Sequence, residues 1–268
     1  STTSPHTPPS THPTNFTSFQ PATTEEITKL INQSPNKQCE LDPIPMHLLK
    51  QILPTIIATI TNIVNLSLSS GIFPSNFKHS LVQPLIKKPS LDKESLNNHR
   101  PISNLSFISK LTEKIVKARL HDHLTSNSLH NPFQSAYSKN HSTETTLLSL
   151  HDKLINAINN QQVTCLCLLD LSAAFDTIDH NILLTRLSSW FGITGTALDW
   201  FTSYLSSRSF SVNASGTTSS SVPLSCGVPQ GSVLGPILFN MYTTPLSSLI
   251  KSTTCDHTVY ADDTGLTL

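Results

Sequence analysis

The chain opens on a stretch, residues 1–22, of Ser, Thr, Pro and His with almost no core formers, which predicts a disordered tail. Thr23 and Glu26 then stand at capping-box spacing ahead of Ile27, Leu30 and Ile31, so a short helix starts there. The segment SPNKQCELDPIP is a proline-punctuated loop, followed by a helix over 46–69 that is interrupted at Pro54 and ended by Gly71 and Pro74. HSLVQPLIKKP reads as a strand closed by two lysines. Over 107–124, Ile108, Leu111, Ile115 and Leu120 recur on one side of a helix, with Lys110, Lys114 and Lys117 on the other. Ser142 caps a further helix whose apolar face is Leu147, Leu150, Leu154 and Ile158, with Glu144 in its first turn. Residues 163–169 form a continuous apolar run ending at Asp170, the pattern of a strand buried on both faces. Helical patterns follow at 180–190 and 196–206, then a polar hairpin around Gly216 and a helix over 233–249. HTVYADDTGLTL closes the chain as strand, tight turn and strand, with aspartates at the turn. No internal repeat is visible.

Composition narrows this picture. The chain has 268 residues, 37% apolar and 13% charged, with a formal net charge of zero. The whole molecule therefore does not announce a polyanionic partner, but residues 78–119 hold nine basic side chains against three acidic ones, the local excess expected of a groove for a nucleic-acid backbone. A solvated helix face explains Lys110, Lys114 and Lys117 equally well. The five cysteines are odd in number and scattered, which argues against a disulfide framework and for a reducing, intracellular setting, nucleus or cytoplasm. No zinc-ligand spacing occurs. No uncharged apolar run approaches the roughly 20 residues a membrane helix needs, and no secretory signal is present, so no membrane partner is expected. A start at Ser1 and an end inside a strand-like pattern read as the edges of a fragment.

The carboxylates carry the chemistry. Asp170 ends an apolar strand, and Asp262 and Asp263 stand together at a hairpin turn. Carboxylates held together raise each other's pKa, and a divalent cation removes that cost. An oxygen-only donor set suits Mg²⁺, with Mn²⁺ as its substitute, held by one or two carboxylates plus substrate phosphates. Two such ions clamp the attacking and leaving oxygens of an in-line phosphoryl displacement, so the pattern predicts nucleotidyl transfer. An ordinary Asp-rich hairpin turn is the plain alternative for YADD taken alone.

Order and spacing change that balance. LLDLSAAFDTIDH, then GVPQGSVLGPILFN, then TVYADD resemble the palm motifs of reverse transcriptases, and HRPISNLSFISKLTEKIV and NPFQSAYSKNHSTETTLL resemble the fingers motifs of the non-LTR (LINE-type) retrotransposon branch. FQPATTEEITKLINQSPNKQCELDPIPMHLLK looks like the leader of vertebrate elements of that branch. The resemblance implies an α/β, right-hand polymerase fold: fingers and palm, an antiparallel palm sheet packed on helices at about 145–158 and 233–249, and the thumb missing. It divides the chain into the tail at 1–22, a helical leader at 23–74, and a reverse transcriptase domain of fingers and partial palm at 75–268. It implies an RNA-directed DNA polymerase adding dNTPs to a primer 3′-hydroxyl, with RNA template and DNA primer as partners.

Carried over residue by residue, the resemblance makes Asp170, Asp262 and Asp263 catalytic metal ligands, with the Leu171 carbonyl as backbone ligand. Phe175, five residues after Asp170, matches the aromatic gate beneath the sugar, where a ring leaves no room for a 2′-hydroxyl; a core phenylalanine is its alternative. Gln230 and Gly231 match the loop lining the nucleotide pocket, where Gly231 lets backbone approach the ligand. Tyr260 supports the primer end. Lys87, Lys88 and Arg100 are the phosphate contacts, or else a solvated basic face. One departure stands out: relatives commonly carry an arginine where this chain has Ser138, and Lys139 lacks the planar fork that would replace it. A truncated or decayed, inactive remnant therefore stays open beside the active polymerase. A ribonucleotide polymerase or intron maturase on the same palm is disfavoured by Phe175 and YADD.

Overall fold

The computed structural model describes residues 15–37, 39–137, 141–214, 216–253 and 255–267. Helices come first: α1 (Thr24–Gln33), α2 (Met46–Gln51) and α3 (Leu53–Ser70). The expected signals start and stop them. The Thr23 side chain accepts from the Glu26 N–H, and Gly71 ends α3 in the left-handed region at φ 68°. Strands β1 (His79–Ile86) and β2 (His99–Asn104) pair antiparallel, and α4 (Phe107–Ser126) and α5 (Thr143–Asn159) follow. Next come β3 (Leu166–Leu169), α6 (His180–Phe191), α7 (Gly195–Leu205), and the short strands β4 (Arg208–Ala214), β5 (Thr217–Thr218) and β6 (Val222–Leu224). Helix α8 (Gly235–Lys251) leads to the hairpin β7 (Asp256–Tyr260) and β8 (Asp263–Thr267).

The architecture is mixed α/β with two sheets. β3, β8 and β7 form an antiparallel three-stranded sheet in that order. The second sheet runs β2-β1-β4-β5 with β6 also on β4, and its β1–β4 pair is parallel, a pairing no local pattern announces. One apolar core takes side chains from α1, α3, α4, α6, α7 and α8, including Ile27, Val64, Leu111, Leu187, Trp200 and Leu238. It draws on both sides of residue 74, so leader and domain share one interior. Helix α3 is 18 residues long and passes a length-and-composition test for a membrane span, closer to that length than the sequence reading allowed; Val64 and Leu68 on its inner side are packed in the core.

Four expectations need correction. Of the stretch read as disordered, residues 1–14 lie outside the described residues, but residues 15–22 pack. Phe16 exchanges backbone hydrogen bonds with Gly192 and Thr194, and Phe19 is buried with its ring 5.7 Å from Trp200. Two phenylalanines in an otherwise polar stretch bury enough apolar surface to offset ordering. The apolar run before Asp170 is not buried on both faces: Leu168 is 72% and Leu169 50% exposed. β3 is an edge strand, and helices α5 and α8 touch β7 at the opposite edge of that sheet. For the same reason the apolar face of α5 is not a core face, and Leu147 and Ile158 are exposed. The basic excess at 78–119 is likewise not one free surface, because Lys78 is buried and the Arg119 guanidinium is bonded to Glu26 at 2.6 Å.

Candidate active site

The β3–β8 register decides which carboxylates meet. Leu169 faces Thr264 and Leu168 faces Gly265, so continuing the ladder by one residue puts Asp170 opposite Asp263. On the other side of the hairpin Tyr260 pairs with Asp263, leaving residues 261 and 262 as a two-residue turn. Ala261 there has φ 55°, a conformation non-glycine residues seldom adopt. A second such alanine, Ala173 at φ 53°, opens the turn after Asp170, where its carbonyl accepts from the Asp176 and Thr177 N–H groups. Strained backbone of this kind clusters where geometry is held for function. Partial burial, then the charges of Asp262 and Asp170, push the Asp263 carboxyl above its ordinary value. The Tyr137 phenol is pushed up by burial and then by Asp262 and Tyr260, which places Tyr137 beside the same cluster.

These donors suit a hard divalent cation. All are oxygens, they stand at strand ends open to solvent, and the repulsion that raises Asp263 is what a cation would relieve. Among the described residues no three His, Cys, Asp or Glu side chains converge into a ready coordination cluster. The protein thus offers at most a partial shell, one that would leave positions for water or other oxygens, the habit of Mg²⁺. Tyr260 lines a cleft of about 320 Å³ with Leu150, Leu168 and Asp263.

The second half of the site is the GVPQGS loop. It lies against the turn after β3: the Val228 N–H donates to the Phe175 carbonyl at 2.9 Å, and a Cβ on Gly227 would stand 2.7 Å from the Asp176 carbonyl oxygen. The Gln230 carbonyl accepts from the Ser103 N–H on β2 at 2.6 Å. Gly231, at φ 115°, would place a Cβ 2.6 Å from the Ser103 oxygen, so its close approach is to β2. Buried Glu113 of α4 accepts from the Val233 and Leu234 N–H groups, closing the N-terminal end of α8. Phe175 is half-buried, its ring 5.3 Å from Phe239 at the edge of the core.

Asp170, Asp262, Asp263 and Tyr260 are therefore together, while Phe175 lies in the turn after β3 against the GVPQGS loop, whose Gln230 and Gly231 pack on Ser103 of β2. Lys87, Lys88 and Arg100 are exposed near the far end of the β1–β2 hairpin, where the Lys87 ammonium donates to the Asn97 carbonyl. Arg100 lies three strand residues from Ser103, about 10 Å along the strand. Ser138 and Lys139 lie outside the described residues. Two residues that sequence reasoning passed over belong to the site's support: Glu113, counted among the acids of a basic stretch, and Gln134, whose carboxamide hydrogen-bonds both backbone groups of Ala261. Only the position of Gln134 in NPFQSAY pointed to it.

Comparison with known proteins gives the same direction. Residues 86–268 match the family described as reverse transcriptase (RNA-dependent DNA polymerase). The chain is 30% identical over 229 residues to the probable RNA-directed DNA polymerase from transposon BS of Drosophila melanogaster, covering 85% of this chain and 25% of that protein. It is 29% identical over 253 residues to the RNA-directed DNA polymerase from mobile element jockey of the same species, covering 91% and 27%. The chain thus spans about a quarter of the length of these relatives. Among solved structures, an apo telomerase from Candida tropicalis superposes with a TM-score of 0.50 at 13% identity, covering 73% of this chain and 44% of that one; this is a likeness of fold.

Proposed function

The chain belongs to the reverse transcriptase family of non-LTR retrotransposons, and from that membership we propose that it carries the fingers and palm of an RNA-directed DNA polymerase. The observation that carries the reading is the β3–β8 register, which sets Asp170 beside the hairpin aspartates. In this reading residues 23–74 are a leader built onto a reverse transcriptase domain at 75–268. Asp170, Asp262, Asp263 and the Leu171 carbonyl hold Mg²⁺, or Mn²⁺ in its place. The bound cations supply Lewis-acid polarisation of the phosphoryl group and of the primer 3′-hydroxyl. The chain itself supplies positioning, which is most of what phosphoryl transfer asks of a protein. Phe175 stands below the sugar of the incoming dNTP and excludes a 2′-hydroxyl. Gln230 and Gly231 line the nucleotide pocket, Tyr260 supports the primer end, and Lys87, Lys88 and Arg100 meet phosphates of the RNA template, DNA primer or nucleotide. Five free cysteines support an intracellular setting.

A folded but inactive remnant is the second reading, favoured by the exposed leucines of β3 and α5, which leave the strand before Asp170 thinly supported. Primer extension on an RNA template by the full chain, with Asp262→Asn as the blank, separates the two. Incorporation that depends on Asp262 supports the polymerase. Cation binding that depends on Asp262 without any incorporation supports the remnant, and incorporation indifferent to Asp262 overturns the assignment of the site.

A further inference from the structure

The hairpin turn that bears Asp262 has a backbone problem that the strand ladder leaves unsolved. Tyr260 and Asp263 close the ladder, and Ala261 sits beyond it at φ 55°. Its N–H and C=O therefore need partners from elsewhere. Gln134, 6% exposed, supplies both: its Oε1 accepts from the Ala261 N–H at 2.9 Å and its Nε2 donates to the Ala261 carbonyl at 3.1 Å. The same Oε1 accepts from the Ala136 N–H at 3.0 Å. Two N–H donors converging on one atom fix the orientation of the carboxamide, because its NH₂ group could accept from neither.

The segment that carries Gln134 is itself tied to β7. The Val259 N–H donates to the Phe133 carbonyl and the Ser135 N–H to the Val259 carbonyl, both at 2.9 Å, a parallel bridge centred on Gln134 and Val259. The Phe133 ring stacks on His257 at 4.2 Å. The side chain of Gln134 thus continues this bridge past the end of β7, doing for Ala261 what another peptide group would do. Asn65 holds Ala22 by the same device, accepting from its N–H at 2.7 Å and donating to its carbonyl at 2.9 Å, far from the aspartates.

We propose that Gln134 is a positioning residue for the carboxylates of the turn: by clamping Ala261 it sets the direction in which Asp262 and Asp263 leave the hairpin. The inference rests on the reading of those aspartates as cation ligands. Without the clamp a strained alanine in a solvent-facing turn has several accessible conformations, and a misplacement of about 1 Å at a reacting group costs about a hundredfold in rate. Substitution of Ala261 by glycine removes the penalty on positive φ, so it should restore part of what loss of the clamp removes.

The test uses the full chain, Mn²⁺ alone as probe, and amide exchange at residue 261. In Gln134→Met, of similar length but without the amide, protection of the Ala261 N–H is lost and Mn²⁺ binds about tenfold more weakly. Gln134→Met combined with Ala261→Gly recovers part of the Mn²⁺ affinity. Gln134→Glu keeps the acceptor but sets a carboxylate oxygen against the Ala261 carbonyl, so it too weakens Mn²⁺ binding, and it serves where Gln134→Met does not fold. Asn65→Leu is the control: it lowers thermal stability and leaves Mn²⁺ affinity unchanged. Unchanged Mn²⁺ affinity in Gln134→Met, alongside weakened binding in Asp262→Asn, overturns the role of Gln134 and leaves the site intact. If Asp262→Asn binds Mn²⁺ as the wild type does, the reading of the aspartates fails instead. A Gln134→Met chain in which residue 261 stays protected overturns the clamp itself.

Discussion

Helix α7 and strand β3 are both apolar, and the protein treats them in opposite ways. Ala197, Trp200, Phe201, Tyr204 and Leu205 of α7 are all at most 1% exposed, whereas every residue of β3 is exposed. Trp200 stacks on Tyr204, meets Phe19 and Phe73 edge-on, and donates its indole N–H to the Ser67 hydroxyl. β3 has a ladder to β8 on one side and open backbone on the other. Stability therefore resides in the helical block, and the proposed site sits on a thin sheet beside it. Regions with few buried contacts open locally at low free energy, and sites that must admit substrates are drawn from them.

The sharpest way to break this comparison is Trp200→Ala. Loss of a fully buried ring should cost about 3–5 kcal/mol and shift the whole unfolding transition in urea. A shift under about 1 kcal/mol would show that α7 is not where stability lies. Amide exchange on the same samples should find the α7 amides slow and the free-edge amides of β3 fast.

Glu113 ties α4 to the start of α8, and its effect should be smaller and depend on pH. Burial pushes its carboxyl above the ordinary value of 4.5, against the pull of Arg208 and of the Leu234 and Val233 N–H groups. A raised folded-state pKa means the folded chain holds the proton more tightly than the unfolded one. That contribution is complete below about pH 4.5 and is lost as pH rises through the folded value, at up to about 1.4 kcal/mol per pH unit. Glu113→Gln keeps an acceptor for the two N–H groups and cannot ionise. Wild type should therefore lose stability relative to Glu113→Gln as pH rises from 4 towards 7, read from urea midpoints. A flat difference across that range would show that Glu113 is ionised at no cost in its buried place.

Arg119→Met should cost about 1 kcal/mol or less, since its ion pair with Glu26 keeps some solvent contact, with side chains 17% and 29% exposed. A larger loss would mean that the bonds from the guanidinium to the Gln20 and Pro21 carbonyls anchor the N-terminal segment more firmly than the ion pair does. Smallest of all is Leu168→Ser on β3, at 72% exposure, which should stay within about 0.5 kcal/mol. A loss comparable to that of Trp200→Ala would erase the contrast between the two regions.

Periodicity and caps are local properties, and they determined most of the elements: the Thr23 and Ser142 caps, the break near Pro54, the left-handed stop at Gly71 and the strand–turn–strand at YADD all lie where their residues predict them. The order of motifs also determined the family, because spacing between chemical groups survives where overall identity falls to about 30%. Burial was not legible in the same way. The run before Asp170 has the composition of a doubly covered strand, yet its exposure depends on whether helices reach that edge of the sheet. The parallel pairing of β1 with β4, the burial of Lys78, the ion pair of Arg119 with Glu26 and the capping of α8 by Glu113 all join residues at least 90 positions apart. Gln134 was in view within a recognised motif, but its role depends on the positive φ of Ala261, 127 residues away. A sequence displays what each residue prefers among its neighbours; partners brought together by chain closure, and the desolvation that follows, exist only once the tertiary structure has formed.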